Sequence, residues 1–161
     1  VCLPKTAWPP TSQVYGVLPR IMSASRRLND GMGAYVANQA IKCMNKKGVM
    51  VKDAKILILG ITFKENCPDL RNSKIVDIYT TLQEYTSNIS VYDPWASPAA
   101  VKHEYGITIT NTLPEEKFDA VILGVAHKQF FELNVKGLIE ENGIIYDVKG
   151  LLPRDIIDGR L

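Results

Sequence analysis

The feature that most constrains this chain is an alternation, beginning after Val51, of short apolar segments with helical patterns. Apolar runs of this length, bounded by Gly, Pro, Asn or Asp, are typical of buried strands. Repeated strand–helix alternation predicts a parallel sheet with helices on both of its faces. The segments that we interpret as strands are Ile56–Leu59, Ile89–Tyr92, Ile107–Thr110, Ala120–Leu123 and Ile144–Tyr146.

Helical patterns fill the intervals between these strands. After Ser73, apolar residues recur at three- and four-residue steps, the spacing of one face of an α-helix. This apolar face consists of Ile75, Ile78, Tyr79 and Leu82. Two further helices are predicted over Pro98–Tyr105 and Val135–Glu141. The entirely apolar segment Ala120–Leu123 is predicted to be a central strand.

A long helix is predicted ahead of the sheet, from Ser23 or Ser25 to about Lys47, with Gly48 as a stop signal. Gly31 and Gly33 are unfavourable inside a helix, so they mark either its true start or a close approach by another helix. Apolar residues lie on more than one side of this helix. It is therefore expected to act as a spacer between domains or as a dimer seam.

The domain organisation follows from these patterns. Residues 1–22 are interpreted as an irregular segment and a truncated edge, residues 23–50 as the long helix, and residues 51–161 as an α/β domain. The predicted fold class is α/β: a doubly wound, mainly parallel, Rossmann-like sheet of about five strands preceded by a long α-helix.

Composition excludes several classes of function. The formal net charge of +2 is too small to indicate nucleic-acid binding. No apolar run approaches the roughly 18–20 residues of a membrane span. Three cysteines and two histidines, far apart, predict neither a disulfide framework nor a metal site. The expected location is the reducing cytoplasm.

Polar residues collect at the carboxyl ends of the predicted strands, where open α/β sheets bind their ligands. Lys64, Arg71 and Lys149 lie on two of these loops. Three cations suit a phosphate-bearing ligand, and Phe63 offers a flat surface to a base or sugar ring. The alternative is an ordinary surface loop whose charges are solvated.

Other strand-end residues leave alternatives open. Asp93 stands where nucleotide-binding sheets often carry a ribose-binding acid, but an Asp before a proline also caps turns. His127 either binds a ligand or is structural, and Cys67 is interpreted as structural. The first strand ends in Gly60-Ile-Thr rather than in G-x-G-x-x-G, so NAD is not expected to bind there.

These residues carry a family resemblance. The segment Gly60–Ser73, GITFKENCPDLRNS, resembles the signature G-x-x-F-K-x-x-x-x-D-x-R-x-S of the UDP-glucose/GDP-mannose dehydrogenase family. Tyr92-Asp-Pro resembles the Y-D-P that this family carries at the next strand end. Arg26–Asp30, followed by the long helix, resembles the family's central dimerisation helix. The resemblance covers the chain from about Tyr15 to its C-terminus.

The resemblance implies a four-electron, NAD-dependent oxidation of a nucleotide sugar at C6, from alcohol through aldehyde to carboxylate. Full-length members have an N-terminal NAD-binding domain, a central helix that builds the dimer, and a C-terminal domain that binds the nucleotide diphosphate. The segment D-V-K-G-L-L-P after the last strand resembles members that oxidise UDP-N-acetylhexosamines for capsule or O-antigen polysaccharides. Whether the sugar is gluco or galacto stays open.

Residue roles also come from the resemblance. It implies that Arg71 reaches NAD across an interdomain cleft, and that one of Arg20, Arg26 and Arg27 reaches the substrate of the neighbouring subunit. The implied substrate-binding residues are Phe63, Lys64, Lys149, Arg26 and Asn29.

Cys2 departs from the family pattern. The family's catalytic cysteine lies in a G-G-x-C-[IL]-x-x-D setting, whereas Thr6 stands here in place of the Asp and the glycines are absent. Cys2 is therefore either the nucleophile or part of an altered edge. The chain is expected to be the C-terminal piece of a longer enzyme and inactive alone. Its expected partners are a UDP-sugar, a missing N-terminal NAD-binding domain and a second copy. The alternative is a non-catalytic dimerisation or regulatory module.

Overall fold

The computed structural model describes residues 18–161, and the chain divides into two compact units, Val1–Met32 and Gly33–Leu161. The first helix, α1, spans Leu18–Lys46. It begins ahead of the predicted Ser23, and Pro19 is compatible with this start because it falls in the first turn, where the missing N–H breaks no helical hydrogen bond. Among the described residues, no helix is long and apolar enough to cross a membrane.

Residues 33–161 form a parallel sheet of five strands in the order β2-β1-β3-β4-β5, which confirms the predicted doubly wound α/β fold. The central strand β3 is entirely buried from Ala120 to Leu123, as its apolar sequence predicted. The strands are β1 Ile56–Leu59, β2 Ile89–Tyr92, β3 Phe118–Leu123, β4 Ile139–Asp147 and β5 Gly159–Arg160.

Two helices follow the first two strands. Helix α2 spans Ile75–Gln83 and buries Ile75, Ile78 and Leu82. Helix α3 spans Pro98–Tyr105, as predicted, and ends at Gly106 with a φ of 71°. A glycine in this left-handed conformation is a common helix stop because it has no Cβ to clash.

Alternate side chains of the strands point to opposite faces of the sheet and build two apolar clusters. Ile58 and Ile122 pack on one face with residues of α1, α2 and α3. Leu59 and Leu123 pack on the other face with Phe130, from one of two short 3-10 helices, Lys128–Phe130 and Val135–Leu138. The described α-helices therefore cover one face, and short 3-10 helices and turns cover the other, so the prediction of helices on both faces holds for α-helices on one face only.

Three elements differ from their predictions. The segment Ile107–Thr110 is not a strand, since only Thr110 bridges to β2. The predicted helix Val135–Glu141 is a 3-10 turn, Val135–Leu138, that leads directly into β4, because Ile139 already pairs with Phe118 of β3. The two-residue strand β5 was not predicted, because two residues carry no period.

The two glycines of α1 have different surroundings. A Cβ on Gly33 would overlap the Cβ of Asp77 in α2, whereas a Cβ on Gly31 would meet nothing within 4 Å. Both lie inside the helix, so neither marks its start. The close approach of another helix is confirmed at Gly33. The roles of residues 23–50 and 51–161 as separate functional domains stay predictions.

Candidate functional site

The candidate site lies at the carboxyl ends of β1 and β3. From β1 the chain runs to β2 on one side and then returns to β3 on the other, so the strand order reverses between β1 and β3. Ligands bind at such switch points in open α/β sheets. Gly60 leaves β1 with a φ of 87°, and a Cβ there would lie 2.6 Å from the Cβ of Val125. Only glycine allows the segment that leaves β1 to pass this close to the segment that leaves β3.

The loop after Gly60 is closed on itself and presents two candidate ligand contacts. The N–H of Phe63 donates to the carbonyl of Asp69 over 2.8 Å. The Phe63 ring is 44% exposed, and the Lys64 side chain is exposed with no ion-pair partner among residues 18–161. Asn66 has a φ of 54°, which asparagine tolerates better than most residues. The loop therefore holds an exposed aromatic ring and an exposed ammonium group next to each other in sequence.

Arg71 lies at the far end of the same loop and is bound to Asp69. Its Nε and Nη2 donate to the two carboxylate oxygens over 3.0 and 2.9 Å. These bonds, with one from the Arg71 backbone, lower the pKa of Asp69 to about 2, and the same pairing raises the pKa of Arg71. The Arg71 side chain is 82% exposed, so its guanidinium is held in place while one side faces solvent.

Asp93 follows β2, and its buried carboxylate is saturated by backbone donors. Oδ2 accepts from the N–H groups of Ile61 and Thr62 over 2.7 and 3.1 Å. Oδ1 accepts from Trp95 and Ala96 over 2.8 and 3.0 Å. Because the side chain is fully buried and both oxygens already accept hydrogen bonds, neither is available to a ribose hydroxyl. Of the two interpretations left open for Asp93, the turn cap is correct.

His127 follows β3 and is fully buried against Asp93. Its Nε2 lies 3.2 Å from Asp93 Oδ2 and 3.1 Å from Thr62 Oγ1, and its Nδ1 accepts from the N–H of Asn66 over 2.9 Å. Burial raises the pKa of the Asp93 carboxyl, but the hydrogen bond from His127 and those from backbone N–H groups outweigh this and bring it to about 2. His127 is structural rather than a ligand contact.

A second buried carboxylate, Asp147, shapes the loop after β4. It accepts from the N–H groups of Lys149, Gly150 and Leu152 over 2.9, 2.8 and 2.8 Å. Arg160 Nη2 of β5 lies 3.4 Å from Asp147 Oδ2. The Lys149 side chain is exposed, and it has no ion-pair partner within residues 18–161. A second ammonium is thus presented on a loop fixed by a buried acid.

The structure brings four of the sequence-predicted site residues to one edge of the sheet: Phe63, Lys64, Arg71 and Lys149. Strands β1 and β4 flank β3, so the loops that carry the two lysines leave the sheet about 10 Å apart, at two strand spacings.

Other predicted site residues lie elsewhere. Arg26 and Asn29 lie on α1 within the unit Val1–Met32, where Asn29 is exposed. Cys2 and Arg20 lie outside the residues whose side chains the structure describes. Arg27 is exposed on the same stretch of α1.

Sequence reasoning missed the importance of Asp147 and Asn66. The pattern D-x-x-G, in which the Asp caps a turn and the Gly takes a positive φ, is a recognisable signal for the first; Gly150 has a φ of 72°. Asn66 carries a weaker signal, as an asparagine near a proline in a loop. Arg160 has no local signal, since its partner lies in another segment.

The described residues fit neither a metal ion nor NAD as a resident group. Within residues 18–161 no three His, Cys, Asp or Glu side chains lie together as metal ligands would. The N–H groups of Ile61 and Thr62, which a dinucleotide phosphate needs at the exit of β1, already bind Asp93. This exit therefore offers no backbone cradle for a pyrophosphate.

Comparisons with known proteins show which family and fold this chain shares. A family model described as the UDP-glucose/GDP-mannose dehydrogenase family, UDP binding domain, matches residues 57–154. The chain is 47% identical over 153 residues to UDP-N-acetyl-D-glucosamine 6-dehydrogenase of Pseudomonas aeruginosa, which covers 93% of this chain and 36% of that protein. It is 39% identical over 147 residues to Protein CapL of Staphylococcus aureus, covering 89% of this chain and 34% of the relative.

Solved structures show the same fold. NDP-N-acetyl-D-galactosaminuronic acid dehydrogenase from Methanosarcina mazei superposes with a TM-score of 0.76 at 20% identity, covering 99% of this chain and 32% of that one. A UDP-glucose dehydrogenase from Pyrobaculum islandicum gives 0.71 at 21% identity, covering 92% and 32%. The chain spans about a third of the length of the curated relatives and solved structures that it matches.

Proposed function

The chain belongs to the UDP-glucose/GDP-mannose dehydrogenase family, and we propose that it binds the UDP part of a nucleotide sugar through Lys64 and Lys149. The observation that carries this proposal is the pair of exposed ammonium groups, unpaired among the described residues, on two loops fixed by the buried acids Asp93 and Asp147. Fixed loops lose little conformational entropy when a ligand binds, so their charges contribute more of their interaction energy to affinity.

Each contact has a defined chemical task. A diphosphate carries its charge on several oxygens, and two ammonium groups approaching from separate loops neutralise it without bringing the two cations together. Phe63 offers its exposed ring to the apolar face of a base or a sugar. Arg26 and Asn29 are proposed as further substrate contacts by family resemblance alone, and Cys2 as the catalytic nucleophile.

The proposed reaction is oxidation of the C6 hydroxyl of a UDP-N-acetylhexosamine, or of a UDP-hexose, to the uronate. NAD supplies the oxidising power when bound in the complete enzyme, and Arg71 is the residue of this chain proposed to contact it. The proposal of an N-acetylated substrate is supported by the names of the relatives, two of which are UDP-N-acetyl-D-glucosamine 6-dehydrogenases. We place the activity in the cytoplasm, in the supply of uronates for surface polysaccharides.

A homodimer is proposed to form through α1. This helix exposes two large apolar side chains seven residues apart, Leu28 to 73% and Tyr35 to 51%, and this spacing places both on one side of the helix, as a helix–helix contact requires. The same observation supports the alternative function, a dimerisation or regulatory module without catalysis. A measurement of UDP binding distinguishes the proposed function from this alternative, because the alternative predicts a dimer that does not bind the nucleotide.

The test is titration calorimetry of the 161-residue chain with UDP, alongside an NADH absorbance assay with UDP-sugars. We expect UDP to bind, inorganic phosphate to bind much more weakly, and no NAD to be reduced, because these residues carry no dinucleotide-binding glycine motif. A chain that is folded and dimeric but shows no heat with UDP would favour the alternative. Reduction of NAD by the chain alone would overturn the proposed dependence on a separate NAD-binding domain.

A further inference from the structure

His127 is a fully buried polar side chain that the proposed ligand contacts do not use. It follows β3, yet its ring contacts residues that follow the other two strands around the switch point. These contacts are Thr62 and Asn66 in the loop after β1, and Asp93 after β2. Thr62 and Asn66 lie on either side of Lys64 in the sequence, so one imidazole contacts this loop both before and after the lysine.

The hydrogen bonds fix the position of every polar proton around the ring. Nδ1 accepts from the N–H of Asn66, so the ring proton resides on Nε2 and the imidazole is neutral. The Nε2–H is shared between Asp93 Oδ2 and Thr62 Oγ1. The Thr62 hydroxyl then donates its own proton to the carbonyl of Lys64 over 3.1 Å. A continuous chain of donors therefore runs from Asn66 through His127 to the backbone of Lys64.

The ring itself is held firmly. Asp93 fixes it from the loop after β2, and the ring of Phe130 packs edge-on against it with centroids 5.3 Å apart. Asn66 is bound a second time to the segment after β3, since its Oδ1 accepts from the N–H of Lys128 over 2.9 Å. An apolar side chain in place of His127 would fill the volume but leave the N–H of Asn66 without its buried acceptor.

We propose that His127 is a positioning residue that holds the loop after β1 in the conformation presenting Lys64 and Phe63 to the nucleotide. The inference deepens the proposed function and rests on it, because the loop matters only if it binds UDP. His127 touches no substrate itself. It acts through Asn66 and Thr62, and its two ring nitrogens have different contacts: Nδ1 accepts from the N–H of Asn66, and the Nε2–H is shared between Asp93 and Thr62.

A pair of conservative variants separates the contact made by Nδ1 from the contacts made by Nε2. His127→Asn keeps an amide oxygen near the Nδ1 position, where it accepts from Asn66, but loses the reach to Asp93. His127→Gln keeps an amide nitrogen near the Nε2 position, where it donates to Asp93, but leaves the N–H of Asn66 unpaired. His103, the other histidine of the chain, is exposed on α3, and His103→Asn and His103→Gln serve as matched controls.

The experiment measures UDP affinity by calorimetry and amide hydrogen exchange of Asn66 and Thr62 by NMR, using the full 161-residue chain. We expect His127→Gln to weaken UDP binding about tenfold and to speed exchange at Asn66, whereas His127→Asn recovers most of both. In the wild type, the nitrogen chemical shifts of His127 should show a neutral ring protonated on Nε2. Equal UDP affinity in wild type and His127→Gln, with unchanged exchange at Asn66, overturns the inference, as does an equal loss of affinity in both His127 variants.

Thr62→Val keeps the inference testable if neither His127 variant folds. It removes only the hydroxyl that links His127 to the carbonyl of Lys64, and its shape is nearly unchanged. We expect it to weaken UDP binding severalfold, and unchanged affinity would overturn the inference. Failure of the proposed function gives a different result: wild type does not bind UDP at all. Hydrogen exchange then still decides whether His127 holds the loop.

Discussion

Arg160 Nη2 lies 3.4 Å from Asp147 Oδ2, and this contact joins the last strand of the sheet to the loop that carries Lys149. Asp147 is buried and already caps that loop through three backbone N–H groups. Arg160 also donates to the carbonyl of Leu152. The two-residue strand β5 therefore stabilises one of the two loops of the candidate site.

Replacing Arg160 should loosen this loop. Arg160→Met keeps the apolar stem but leaves a buried carboxylate without its cationic partner, which we expect to lower the free energy of unfolding by about 1–3 kcal/mol. Arg154→Met, at an exposed arginine, is the control and should change it by less than about 0.5 kcal/mol. Urea denaturation of both variants measures the difference, and equal stability of the two would refute a role for Arg160.

Asp93 should make the fold sensitive to acid in a defined range. Its pKa is depressed from 3.8 to about 2, so the ionised form contributes about 2 kcal/mol of stability at pH above the unfolded value. That contribution is lost as pH falls from about 4 through about 2. The stability gap between wild type and Asp93→Asn should narrow over this range when unfolding is followed by circular dichroism. A gap that stays constant would show that Asp93 does not titrate as the structure implies.

The two glycines of α1 predict opposite effects of the same substitution. Gly31→Ala should stabilise the chain by up to about 1 kcal/mol, because the space is open and alanine favours helix. Gly33→Ala should destabilise it by about 1–3 kcal/mol, because the new methyl group overlaps Asp77. Thermal unfolding of the two variants gives the comparison. The same sign for both would contradict the close packing of α1 on α2.

Much of the fold could be predicted from the sequence, because its signals are local. The runs Ile56–Leu59 and Ile89–Tyr92, and the helix Pro98–Tyr105 with Gly106 at its end, have bounds that propensity and capping alone fix. The predictions that were wrong lie where a tertiary contact determines the local secondary structure. The segment Val135–Glu141 has a helical pattern, but its C-terminal part pairs with β3, which outweighs a weak helical preference.

The residues of the candidate site also fall into those that local sequence signals predict and those that depend on tertiary contacts. The cations Lys64 and Lys149 could be assigned to strand ends because the fold places every strand end at one edge. The contacts of His127 and Asp93 could not, since they join residues more than thirty positions apart. A buried histidine and a ligand-binding histidine have the same sequence pattern at a strand end, and only the burial of both ring nitrogens separates them.

Replacing Arg71 should leave the affinity for UDP nearly unchanged. Its pairing with Asp69 is exposed, so Arg71→Ala should change stability by less than about 1 kcal/mol. Because Arg71 is assigned to a different ligand from Lys64, we expect UDP affinity to stay within about twofold of wild type. Calorimetry with UDP checks this, and a tenfold or greater loss of UDP affinity would show that Arg71 contributes to UDP binding.

The central claim is that Lys64 and Lys149 together bind the diphosphate. The most direct measurement is calorimetry with UDP on Lys64→Ala, Lys149→Ala and the double variant, with the exposed Lys52→Ala ahead of β1 as a matched control. We predict a loss of about 1.5–3 kcal/mol for each single variant, typical of a charge-assisted hydrogen bond, and none for Lys52→Ala. Wild-type affinity in both single variants, or an equal loss in the control, would contradict the claim.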